Sequence, residues 1–266
     1  MSGFPGSQDL FHELPVVTRK IALVTGAGSG IGRAVAVALG NAGYTVVLAG
    51  RHASSLYATV ELAGESGGRC LAIPCDVTSE NAVDVLFGRL SAELGRLDVL
   101  FNNAGLSIPT TRFEDIGLAQ WQSIIDTNLT GAFLVARRAY QVMKNQNPQG
   151  GRIINNGSIA AHAPRPRMAA YASSKHALTG LTKSIALEGR EHGIACGQID
   201  IGNAATDLST TIAQGALQSD LSIKSEPTFD AKHIADAVLY MARLPTNVNV
   251  LSMTLLPTRM PFVGRG

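Results

Sequence analysis

Tyr171 and Lys175 stand four residues apart in Tyr171-Ala172-Ser173-Ser174-Lys175. In a helix that spacing puts both side chains on one face. A free phenol has a pKa of about 10 and is a poor acid near neutrality. An ammonium close by favours the phenolate and lowers that value. The pair therefore reads as a proton donor and acceptor for general acid/base chemistry. The same pair also arises on solvated helices, so its surroundings decide.

A second chemical signal lies near the start of the chain. The turn Thr25-Gly26-Ala27-Gly28-Ser29-Gly30-Ile31-Gly32 follows a short apolar run and opens a helical stretch. Glycines let a backbone approach a pyrophosphate, and a helix N-terminus favours the anion. The spacing is a variant of the dinucleotide fingerprint, not GxGxxG. Gly26, Ser29, Gly30, Ile31 and Gly32 are the expected contacts. The second apolar run ends in Gly50-Arg51-His52. A carboxylate there would bind a ribose 2′-hydroxyl and repel a 2′-phosphate. Arg51 instead offers a fork to a phosphate, which favours NADP(H) while leaving NAD(H) possible. Asp76-Val77 closes the third run, where the aspartate could accept from an adenine amino group. Asn103-Ala104-Gly105 follows the fourth and allows backbone contact with a nucleotide.

The elements that must hold these residues alternate. Strands are expected at Lys20–Thr25, Tyr44–Ala49, Arg69–Pro74, Leu97–Phe101, Gly151–Asn156, Ile194–Ile201 and Val248–Leu255. Helices are expected from the glycine turn to Ala42, and at Ala53–Gly64, Ser79–Leu94, Gln120–Lys144, Ala169–Glu191 and Ala231–Ala242. This order implies right-handed crossovers. The fold is then a Rossmann-like, doubly wound α/β sheet of about seven parallel strands, with helices on both faces. In such sheets ligands bind beyond the C-terminal strand ends.

Composition narrows the partners. The 266 residues suit one large α/β domain over 19–266, preceded by a flexible extension over 1–18. A net charge of +2, without a basic run, offers nucleic acid no footprint. The apolar runs are too short and interrupted to span a membrane. Cys70, Cys75 and Cys196 form no metal-ligand pattern and fit reduced thiols in a cytoplasm. No metal is expected.

Five segments in one order closely resemble the short-chain dehydrogenase/reductase family: TGAGSGIG at Thr25–Gly32, DV at Asp76–Val77, NNAG at Asn102–Gly105, GSIA at Gly157–Ala160 and YASSK at Tyr171–Lys175. The resemblance covers about residues 18–255. It implies that Tyr171 protonates a carbonyl oxygen during reduction. Lys175 would bind the nicotinamide ribose and lower the tyrosine pKa. Ser158 would hydrogen-bond the substrate oxygen, and Asn128 would hold a relay water. Gly202 and Thr206 would meet the nicotinamide end. The activity implied is hydride transfer between a nicotinamide and a ketone or secondary alcohol. Rival readings are a 3-oxoacyl-thioester reductase of lipid synthesis and a non-catalytic NADP-binding sensor.

The chain departs from the family in two places. The usual Pro-Gly after the sixth strand is Ile201-Gly202, which leaves that turn less rigid where the family meets the nicotinamide. The usual acidic-Gly-Gly ending is replaced by Leu255-Leu256-Pro257-Thr258-Arg259. The long helices still imply a homodimer or homotetramer. Arg112, Arg165 and Arg167 suggest an acidic group on the small-molecule substrate, and His162 reads as a loop or pocket-wall residue.

Overall fold

The computed structural model of the protein describes residues 19–64, 69–107, 110–205 and 215–263. The expected extension over 1–18 and the expected contact at Thr206 lie outside the described residues. The main sheet is built from β1 (Ile21–Thr25), β2 (Thr45–Gly50), β3 (Arg69–Pro74), β4 (Val99–Asn102), β5 (Gly151–Asn156) and β6 (Ile194–Ile201). β7 (Ala204–Ala205), β8 (Ala216–Leu217), β9 (Ile223–Lys224) and β10 (Phe229–Asp230) are two-residue pieces, and β11 (Ser252–Leu255) completes the main sheet. The sheet order is β11-β6-β5-β4-β1-β2-β3, with seven strands, all parallel.

The helices are α1 (Gly30–Asn41), α2 (Ala53–Gly64), α3 (Glu80–Leu94), α4 (Leu118–Ile125), α5 (Gly131–Asn145), α6 (Ala169–Glu188) and α7 (Lys232–Arg243). They cover both faces. β1 is buried along its whole length, and its alternate side chains serve different cores. Ala22 and Val24 pack with Val35, Leu39 and Val238 from α1 and α7. Ile21 and Leu23 pack with Leu86, Leu90 and Val135 from α3 and α5. A continuous apolar strand is the expected signature of a parallel sheet covered twice. Each fully buried Leu or Phe contributes roughly 1.5–3 kcal/mol.

Three differences from the sequence expectation exceed two residues. The long helix over Gln120–Lys144 is divided by a π turn at Asp126–Thr130, where Gly131 N–H donates to Asp126 O. Gly131 is pressed against Val77, since a Cβ there would lie 2.9 Å from Val77 Cγ2. α6 stops at Glu188 and continues as a 3-10 turn over Gly189–His192. The last strand starts at Ser252, not Val248. The buried Arg152 explains this: its guanidinium donates to Val248 O at 2.8 Å and to Asn249 Oδ1 at 3.1 Å, turning that stretch out of the ladder.

Candidate active site

The glycine turn is built to bring bare backbone to the cleft. Gly26 has φ +65°, and a Cβ at Gly32 would lie 2.2 Å from Gly26 O. No L side chain fits the second position without moving the turn. Ser29 caps α1 without a side-chain hydrogen bond, and no acidic residue stands in the first helical turn. The first-turn N–H groups are thus left for an anion.

Asn103 fixes the neighbouring strand end. Its Nδ2 donates to Thr25 O at 2.9 Å, and Thr25 Oγ1 accepts from Asn103 N–H and Ala104 N–H, both at 2.9 Å. Asn156 Nδ2 donates to Asn103 Oδ1 at 2.8 Å. The C-terminal ends of β1, β4 and β5 are therefore locked together.

A single cleft of about 470 Å³ runs along these ends. At one end lie Ser29, Arg51 and Asp76, and at the other Ser158, Tyr171 and Lys175. Gly26, Gly30, Ile31, Gly32, Val77, Asn103, Ala104, Gly105 and Gly202 also line it. Arg51 is exposed at the rim. Asp76 is exposed too, and its Oδ1 accepts from Thr78 N–H and Oγ1 at 3.0 and 2.8 Å. Those bonds, and Arg51 nearby, hold its carboxyl below the usual range.

At the other end, α6 supplies Tyr171 and Lys175 one turn apart. The small neighbours Ala170, Ala172 and Ser174 are buried and let the helix lie close to its surroundings. Lys175 is 5% exposed; its Nζ donates to Asn156 O at 2.7 Å and lies 5.7 Å from the Tyr171 ring centroid. Burial depresses the Lys175 pKa to about 8, although Asp200 opposes the shift. Burial raises the Tyr171 pKa; the Ser158 hydroxyl opposes the shift and Asp200 adds to it. The expectation that Lys175 lowers the tyrosine pKa is not met by this geometry. Burial is the largest cause and outweighs the opposing Ser158 hydroxyl.

Asn128 is buried in the π turn. Its Oδ1 accepts from Leu106 N–H at 2.6 Å, and its Nδ2 donates to Leu106 O at 2.9 Å and Ser174 Oγ at 3.2 Å. Ser158 Oγ accepts from Ala160 N–H at 3.1 Å.

One expectation changes. Arg165 lines the cleft, but its guanidinium is paired with Glu226 at 2.5 Å and Asn203 Oδ1 at 2.9 Å. The buried Glu226 also accepts from Asn203 Nδ2 and Gln218 Nε2, each at 2.8 Å. His162 faces the buried Asp200 at 2.7 Å. Asp200 and Gln198 were missed by sequence reasoning. Their signal was two polar residues, two apart, in the otherwise apolar strand β6.

Similarity to known proteins agrees with this arrangement. A family model for short chain dehydrogenase matches residues 20–216. The chain belongs to the short-chain dehydrogenase/reductase family. Its relatives include a 3beta-hydroxysteroid dehydrogenase of Mediterraneibacter gnavus, 40% identical over 71% of this chain and 68% of the relative. A 3-oxoacyl-[acyl-carrier-protein] reductase of Synechocystis is 32% identical over 91% of this chain and 96% of its own. The crystal structure of a short-chain type dehydrogenase/reductase from Mycobacterium marinum superposes with a TM-score of 0.81 at 31% identity, covering 89% of this chain and 93% of that one. This short-chain dehydrogenase/reductase is therefore an oxidoreductase of CH–OH and C=O groups in a family that binds NAD(P)(H). Among its described residues, no helix is long and apolar enough to cross a membrane.

Proposed function

We propose that the protein is an NADP(H)-preferring reductase of a neutral ketone, or dehydrogenase of the matching secondary alcohol, with NAD(H) as a weaker alternative. The observation that carries this reading is the convergence of Ser158, Tyr171 and Lys175 at one end of a cleft whose other end is the glycine turn and Arg51.

The residues present fit the cofactor. The bare backbone of the turn and the uncapped start of α1 would hold its pyrophosphate. Arg51 would hold the 2′-phosphate. Lys175 would hold the nicotinamide ribose. When bound, the nicotinamide supplies or accepts the hydride.

The chain's own part is the proton. Reduction leaves charge on the carbonyl oxygen, and the Ser158 hydroxyl donates a hydrogen bond to it. Tyr171 gives that oxygen its phenolic proton. A pKa raised by burial keeps the phenol protonated, the form that reduction requires. The Asn128 side chain is tied to Leu106 and Ser174, which holds it in place beside α6. Arg165 is neutralised by Glu226, which favours an uncharged substrate over a carboxylate. The name of the hydroxysteroid relative agrees with a neutral ketone of that kind.

Exposed Leu118, Phe133 and Leu187 on α4, α5 and α6 support a homodimer or homotetramer. NADPH oxidation with a panel of neutral ketones, oxo-acids and oxoacyl thioesters tests the reading. Turnover of ketones supports it. Turnover of thioesters alone would favour the lipid-synthesis rival, and turnover of none would leave a nucleotide-binding sensor.

A further inference from the structure

The Asp200 side chain has no part in the reaction outlined above, yet it lies against the groups that do. It projects from near the C-terminal end of β6 and is 1% exposed. Its Oδ1 accepts from Ser158 N–H at 3.0 Å and Gln198 Nε2 at 2.7 Å, and its Oδ2 lies 2.7 Å from His162 Nε2. A buried carboxylate is costly unless donors surround it, and three do here. An ionised carboxylate only accepts, so His162 Nε2 carries its hydrogen toward Asp200.

The backbone is shaped around this carboxylate. A Cβ at Gly157 would come within 2.0 Å of Asp200 Oδ1 and 2.7 Å of Gln198 Nε2. The residue before the serine can only be glycine while Asp200 and Gln198 stay where they are. Gln198 extends the network, donating to Thr179 Oγ1 at 2.9 Å and accepting from Thr182 Oγ1 at 3.0 Å. Thr182 in turn accepts from Asn155 on β5 at 2.9 Å.

The titratable groups that act on Asp200 or feel its charge are few. His162 comes from the 3-10 turn after Ser158, and Tyr171 and Lys175 come from α6. Its register neighbour on β11 is Thr254, and the end of β5 offers Asn155 and Asn156, all uncharged.

We propose that Asp200 is a positioning residue for this reaction: it fixes the Gly157–Ser158 turn through the serine N–H and sets a negative charge near Tyr171 and Lys175. The proposal rests on Ser158 and Tyr171 being the reacting groups. The charge opposes the phenolate and favours the ammonium. Asp200 thereby biases the site toward the protonated phenol, which donates in the reductive direction. His162 is 44% exposed at its side chain, packs edge-on against Phe262 and secures the far oxygen of the carboxylate.

The test is a titration of Tyr171 without substrate or cofactor. The protein is labelled at the tyrosine ζ-carbon, and Tyr171 is identified among five tyrosines by the signal lost in Tyr171→Phe. In Asp200→Asn the Tyr171 midpoint should fall by about 1 pH unit. A purely structural aspartate would leave it unmoved, and an unmoved midpoint in a folded Asp200→Asn protein overturns the proposal. Should that variant not fold, Asp200→Ser removes the same charge with a smaller side chain. The midpoint should fall there too, and an unchanged value overturns the proposal equally. Because no turnover is read, this result is independent of the functional reading, which fails instead if Tyr171→Phe stays active.

Discussion

Replacing Lys175 by Met isolates the energetic cost of the buried ammonium. The structure holds the Lys175 pKa near 8 against an ordinary 10.5, because burial disfavours the charge. The folded-state value is depressed, so the unfolded chain keeps the proton between those two values. The penalty is therefore fully present below about pH 8 and relieved as pH rises towards 10.5. At about pH 7 it amounts to roughly 3 kcal/mol, and at about pH 9.5 to roughly 1.4 kcal/mol. Methionine removes the charge and also the bond to Asn156 O, whose loss costs about 1–3 kcal/mol. Those terms leave Lys175→Met about 0–2 kcal/mol ahead at pH 7, so it should unfold there at a urea midpoint equal to or above that of the wild type. The sharper expectation concerns the pH trend. The wild type should gain about 2 kcal/mol on the variant between the two pH values. Urea denaturation of both proteins at each pH, without cofactor, measures the difference. A difference that stays constant across that range would refute the claim that the ammonium is held at a cost.

Two further substitutions probe the cofactor end. Arg51→Asp should weaken NADPH binding roughly 10–100-fold, the scale of losing a charged hydrogen bond, while NADH binding holds or improves; fluorescence titration with both nucleotides reads the ratio, and an unchanged ratio removes Arg51 from the 2′-phosphate site. Gly32→Ala puts a methyl group against Gly26 O and should abolish binding of both nucleotides in a chain that still folds; calorimetry showing ordinary NADPH affinity would contradict the tight-turn argument.

Much of this was legible in the sequence because backbone periodicity and glycine placement are local signals. The apolar runs named the seven strands, and the turn at Gly26–Gly32 carried its own steric reason. What was hidden depended on distant partners. The π turn at Asp126–Thr130 follows from how Gly131 meets Val77, some fifty residues earlier in the chain. The late start of the last strand follows from Arg152, a buried cation whose partners lie beyond residue 243. Arg165 read as a substrate arginine because Glu226, its counter-ion, is sixty-one positions away. The direction of the Tyr171 pKa was misjudged for a related reason. Spacing revealed the ammonium but not the depth of burial, and burial dominates.

The central claim is that Tyr171 carries the proton. The most direct measurement compares Tyr171→Phe with the wild type in NADPH-dependent ketone reduction and in NADPH affinity. Loss of a positioned acid should lower kcat by about 10²–10⁴-fold, with the NADPH Kd changed less than a few-fold. Wild-type turnover in the phenylalanine variant would contradict the claim outright.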